Sequence, residues 1–156
     1  MRITYRLVDE PRPGGLSHLV VSALWPLLAL MLAGAWAGWA WLVFNSVAMG
    51  SATMRKEVFY AVAGILGSCL IALGLGWLLA NNLVGREGMR YLVVVPTVWK
   101  LYCGMRIYYT QSDSQQLFEY VGGHTRNGLF VLIALVFVGF QLRSKLTDLF
   151  FAVVLF

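Results

Sequence analysis

The sequence predicts an all-α, polytopic integral membrane protein with about four transmembrane helices. Three observations carry that expectation. The 156 residues are 60% hydrophobic and only 12% charged, with a mean hydropathy of +0.74, whereas a soluble domain carries about 25% charged residues. So few charges cannot clothe a water-exposed surface. The apolar residues gather in runs that approach the length needed to cross about 30 Å of hydrocarbon. The basic residues stand at the ends of those runs, where topology signals lie.

The division read from the chain is a polar N-terminal arm over 1–15, a helical membrane domain over 16–142, and an amphipathic, apolar tail over 143–156. Arg2, Arg6 and Arg12 assign the arm to the cytoplasm under the positive-inside rule, and "PRPGG" breaks any helix before the membrane. The arm also carries Asp9 and Glu10. The apolar run after it outlasts the roughly 7–15 residues of a signal peptide, so it reads as an uncleaved anchor despite "AWAG" at 35–38.

The first run, about 16–44, lies in a stretch of 42 residues without Asp, Glu, Lys or Arg. As one helix it would be about 43 Å long, so it must tilt, kink or protrude. Pro26 offers the kink, and Trp36, Trp39 and Trp41 suit an aromatic belt at the far end. The second run, 58–80, is the cleanest span, closed by Asn81 and Asn82. The fourth, 127–142, is about 24 Å long, short but feasible with flanking arginines snorkelling.

The third run, 91–109, is ambiguous. With Pro96 as first helical residue, Val98, Leu101, Tyr102, Met105 and Tyr109 share one face, while Thr97, Lys100, Cys103 and Gly104 fall opposite. It crosses as a tilted helix with Lys100 facing other helices, or lies in the interface and leaves three spans, or is covered by another subunit. Charge asymmetry favours four. The arm, the 81–90 loop and the C-terminus then share Arg2, Arg6, Arg12, Arg86, Arg90, Arg143 and Lys145, against Arg55, Lys56 and Arg126 opposite.

Two constellations concern packing. Gly64, Ser68, Ala72, Gly76 and Ala80 recur at every fourth position, and Gly34 and Gly38 form a GxxxG. Hydrocarbon gives helices no hydrophobic reason to associate, so close approach along small residues drives association instead. The two faces are expected to meet each other or a partner. Lys100 and Arg106, with Trp99 and Tyr102, form the candidate contact with a lipid headgroup or a substrate anion. The alternative for Lys100 is snorkelling to the interface beside those aromatics.

Other chemistry finds little support. No acidic residue lies inside a clear span: Glu57, Glu87, Asp113, Glu119 and Asp148 all read as flanking. That argues against a transporter built on a membrane carboxylate. Under four spans His18 and His124 are expected near opposite membrane faces, which argues against a shared haem or metal site. Cys69 and Cys103 read as apolar fillers, without zinc spacing. No catalytic motif, phosphate loop or basic block for nucleic acid is present, so no catalytic, cofactor or metal residue is assigned.

The expected function follows: a non-enzymatic integral subunit of a cell-envelope assembly for secretion, conjugation or polysaccharide export. Its place is the bacterial inner membrane, with the N-terminus cytoplasmic. Its partners are the bilayer and other membrane subunits, or further copies of itself. The alternatives are a small oligomeric transporter or channel, with Lys100 and Asn81 lining its path, and a lipid-modifying enzyme. The apolar tail is expected along the bilayer, in a partner's groove, or at the start of a further span.

Overall fold

The structure, a computed structural model, describes residues 15–145 and 154–156, and all regular structure among them is helical. A short 3-10 turn at Ser17–Leu19 leads to α1 (Leu24–Leu32), α2 (Ala35–Met49), α3 (Met54–Ala80), α4 (Arg86–Leu92), α5 (Val94–Tyr120) and α6 (Leu129–Lys145). Val21 and Arg126 make an isolated parallel bridge. The arm up to residue 14, and the tail over 146–153, lie outside the described residues.

The first run is not one helix. It breaks at Ala33 and Gly34, and the kink expected at Pro26 does not form. Pro26 is the third residue of α1, inside the first turn, where a missing N–H breaks no intrahelical bond. Gly34 instead adopts φ +107°, a conformation open to a residue without Cβ. The Trp36 indole N–H donates to the Ala33 carbonyl at 3.0 Å. The chain then folds back as a hairpin, so close that a Cβ on Gly38 would overlap the Leu30 backbone.

The hairpin has a base and a buried tip. At the base, Val20 packs with Ala48, Met49 and Phe118, and the Val21 N–H reaches Asn45 Oδ1 at 3.0 Å. At the tip, Ala33 and Ala35 are buried. Gly139 of α6 and residues 155–156 lie directly against the turn. Thus the last described residues of the tail cover the chain's own hairpin.

α3 and α5 run antiparallel, with Trp99 beside Ala63 and Gln111 beside Glu57. The hairpin lies along α5: Leu30 fills the space above Gly104, and the Ala23 N–H donates to Gln115 Oε1 at 3.0 Å. α6 runs beside α1, with Gly128 under Trp25 and Gly139 under Ala33. Among the described residues, α3 alone is long and apolar enough to cross a membrane. It ends as the sequence predicts, with Asn82 at φ 53° and the Leu83 N–H returning to the Leu78 carbonyl at 3.1 Å.

The distribution of polarity is inverted. α5 buries Lys100, Cys103, Gly104, Ile107, Gln111 and Ser114. Its apolar face, Val98, Leu101, Tyr102 and Tyr109, is exposed. Leu70 is 70% exposed and Phe130 82%, while Glu57, Gln111 and Asn45 are 0% exposed. A fold surrounded by water ordinarily keeps Glu and Lys out and Leu and Phe in. Trp39 and Trp41, expected in an aromatic belt, are core residues instead, because the hairpin turns them inward.

Candidate functional site: a buried carboxylate at the hairpin base

The α2 terminus assembles the site. Gly50 takes a left-handed conformation, φ 64°, and the Ser51 N–H returns to the Ser46 carbonyl at 3.1 Å. That turn reverses the chain and delivers Ser51 and Thr53 to the first turn of α3. Glu57 points inward there, because it lies on the buried line of α3 shared with Ala61, Gly64, Ser68 and Ala72. On α5 the line through Lys100, Ile107, Gln111 and Ser114 faces it.

The hydrogen bonds form one connected network. Glu57 Oε1 accepts from Thr53 Oγ1 and from Ser51 Oγ, the latter at 2.7 Å. Glu57 Oε2 accepts from Gln111 Nε2 at 2.9 Å. The same amide donates to the Leu42 carbonyl at 2.7 Å, which spends both of its protons. Gln111 Oε1 accepts from Asn45 Nδ2 at 3.4 Å, and Asn45 Oδ1 caps the Val21 N–H. Ser114 Oγ lies 3.1 Å from Ser51 Oγ and donates to the Thr110 carbonyl at 3.1 Å. Residue 21, α2, the 51–53 loop, α3 and α5 are thereby tied at one point. All the donors to Glu57 among the described residues are neutral. A buried carboxylate held this way is expensive to leave unsatisfied, so the network specifies the geometry strongly.

Glu57 flanks the second apolar run, as expected, in the first turn of α3, but it is buried in the fold. The signal was present but unused: Glu57 stands seven residues before Gly64, on the small-residue ladder extended about two turns back.

That ladder is partly realised. Gly64 lies beneath the Trp39 ring, Ser68 donates to the Gly64 carbonyl at 2.7 Å, and Ala72 is buried. Gly76 and Ala80 are exposed, and a Cβ on Gly76 would meet nothing. Gly38 packs on Leu30, and Gly34 makes the hairpin turn. So the two small faces do not meet glycine to glycine; Trp39, one residue past Gly38, bridges them.

The headgroup candidates separate. Lys100 is buried, beside a cavity of about 130 Å³ that Leu30, Met31, Thr97 and Phe156 help to line. Trp99 lies across Gly67 and donates to the Ala63 carbonyl at 3.1 Å, so it locks α5 to α3. Tyr102 is exposed, 6.1 Å from the Trp99 ring. Arg106 is exposed and lies 5.6 Å from the Tyr60 ring centroid. Lys100 and Arg106 therefore do not share one contact.

The histidines also correct an expectation. His18 and His124 line the same cavity rather than opposite faces, because the hairpin brings residue 18 back beside the end of α5. Among the described residues, no group of three His, Cys, Asp or Glu side chains suits a metal ion. No protein-family profile, curated protein or solved structure matches this chain.

Proposed function

We propose that the chain is a multi-pass integral membrane protein acting by assembly, as a non-enzymatic subunit of a larger membrane complex. In this reading α3, α5 and α6 cross the bilayer and the α1–α2 hairpin re-enters it from one side. The inverted polarity carries the reading: carboxylate, amides and hydroxyls inside, Leu, Phe and Tyr outside. In hydrocarbon that arrangement hydrogen-bonds the buried carboxylate and amides within the protein and leaves the lipid a largely apolar face; among the described residues Ser46 Oγ is the buried side-chain atom without a partner. A hairpin turn at membrane depth is tolerated only when buried in protein, as this one is. α6 buries Leu132 and Gly139 on the bundle while Phe130, Ile133, Phe137 and Phe140 stay exposed, a face that lipid covers as well as a partner helix does, so assembly rests on the extraction test below.

Cysteine labelling in intact membranes tests the topology, in a background where Cys69 and Cys103 are replaced by Ala. Ala52→Cys and Thr125→Cys should label from one side and Gly85→Cys from the other. Labelling of all three from one side sinks it. Extraction in mild detergent tests assembly, because the chain should migrate with partner subunits or further copies; recovery as a lone, fully functional monomer overturns the subunit reading.

The buried Glu57 favours a second reading, transport. Intramembrane carboxylates mark ion and proton paths, and in this reading the re-entrant hairpin beside Glu57 is the moving part. Solute or proton flux in proteoliposomes, abolished by Glu57→Gln, supports this reading. Absence of flux across a panel of ions removes it.

A further inference from the structure

The cavity at the hairpin base has a volume of about 450 Å³ and shares no lining residue with the Glu57 network. Ser17 and His18 form one wall and His124 and Arg126 another, with Phe118 beneath. Two backbone devices hold the walls together before any ligand arrives. The Arg126 N–H donates to the Val20 carbonyl at 2.8 Å. Gly122, at φ +95°, closes α5, with its N–H on the Glu119 carbonyl at 3.1 Å and the Gly123 N–H on the Phe118 carbonyl at 2.9 Å.

Those bonds have a consequence for charge. The last carbonyls of α5 are already capped, so Arg126 is not needed there as a counter-charge. The acidic neighbour, Glu119, is engaged by neutral donors: its Oε1 accepts from Gln115 Nε2 and from Thr125 Oγ1, each at 2.9 Å, and it is not among the residues that line the cavity. Among the described residues, Arg126 makes no ion pair. His18 Nδ1 donates to the Gly15 carbonyl at 2.9 Å, which orients the ring; its Nε2 accepts in the neutral ring and donates to an anion in the imidazolium.

We propose that this cavity binds a phosphate group. A guanidinium fork takes two phosphoryl oxygens side by side. Ser17 Oγ, the N–H of His124 and, in the imidazolium, Nε2–H of His18 are the remaining polar donors. The permanent charge of Arg126 opposes a metal cation in the same space. The phosphate belongs either to an anionic lipid headgroup or to a free phosphate species; both present the same chemistry. The proposal stands apart from the subunit reading, because free phosphate needs no bilayer.

The test uses the full chain in nonionic detergent, with inorganic phosphate and dihexanoyl phosphatidylglycerol as separate probes, followed by 31P NMR titration. At least one probe should bind, and Arg126→Gln should weaken it by about tenfold or more, the loss of a charge-assisted hydrogen bond. A His18→Gln, His124→Gln double variant should weaken it as well, and it serves if Arg126→Gln fails to fold. Arg143→Gln, outside the cavity, should leave affinity unchanged. Binding of the lipid alone assigns the headgroup; binding of inorganic phosphate assigns a free anion. The proposal is overturned if neither probe binds, if the cavity variants bind as tightly as the parent chain, or if the histidine pair takes up zinc in preference to either probe.

Discussion

The two ends of the α1–α2 hairpin are held by different physics. At the base, Asn45, Gln111, Glu57, Ser51 and Thr53 are joined by hydrogen bonds. At the tip, Gly34, Gly38 and Gly139 let backbone meet backbone, and Leu30 fills the space over Gly104. Hydrogen bonds are directional, so the base sets which segments meet and in what register. Small-residue contact is not directional, but it fails on any added atom. A polar base and a close-packed tip together hold a hairpin that neither arm would hold alone, since α1 has nine residues and α2 fifteen.

The largest test of this contrast is Gln111→Leu. It removes both donors of one amide, leaving Glu57 Oε2 and the Leu42 carbonyl without that partner. A loss of about 3–5 kcal/mol is expected, read as a fall in the unfolding midpoint in detergent. An unchanged midpoint would mean the base is not held by this network. Next comes Gly38→Ala at the tip, whose Cβ would overlap the Leu30 backbone. Overpacking of that kind costs about 1–3 kcal/mol, and a compensating gain from Leu30→Ala would not relieve it, because the clash is with main chain.

Asn45→Ala separates the base further. It strips the cap from the Val21 N–H, and a cost of about 1–3 kcal/mol is expected. In a double-mutant cycle with Gln111→Leu the two losses should be less than additive, since both residues belong to one network. Strict additivity would show them to be independent. The smallest effect belongs to Gly76→Ala, where the added methyl meets open space. Relief of glycine's backbone freedom in a helix interior should stabilise by about 0.5–1 kcal/mol. Destabilisation there would instead reveal a partner helix on the outer part of the ladder.

Helix content and the placement of the clean span were legible in the residues. The run over 58–80 lies within α3, and Asn81 and Asn82 do close it, because composition and capping act locally. The inward line of α3 was also legible through Gly64, Ser68 and Ala72. Its extension to Glu57 was missed, since a charge at the edge of an apolar run looks like a boundary until another helix covers it. The third run was divided into the two faces the structure shows, but which of them is covered was left open for a related reason. Periodicity identifies two faces of a helix but not which of them meets protein.

By itself, then, the order of amino acids determined an apolar, helical chain and the small residues along which its helices approach. Tertiary structure alone decided that residues 16–44 fold back at Gly34, that His18 and His124 share a cavity, and that Glu57, Gln111 and Asn45 meet. The reason is separation along the chain. Local pattern sets the backbone conformation within a few residues, whereas Asn45 and Gln111 are 66 residues apart. Only packing of the whole bundle brings such groups within hydrogen-bond reach.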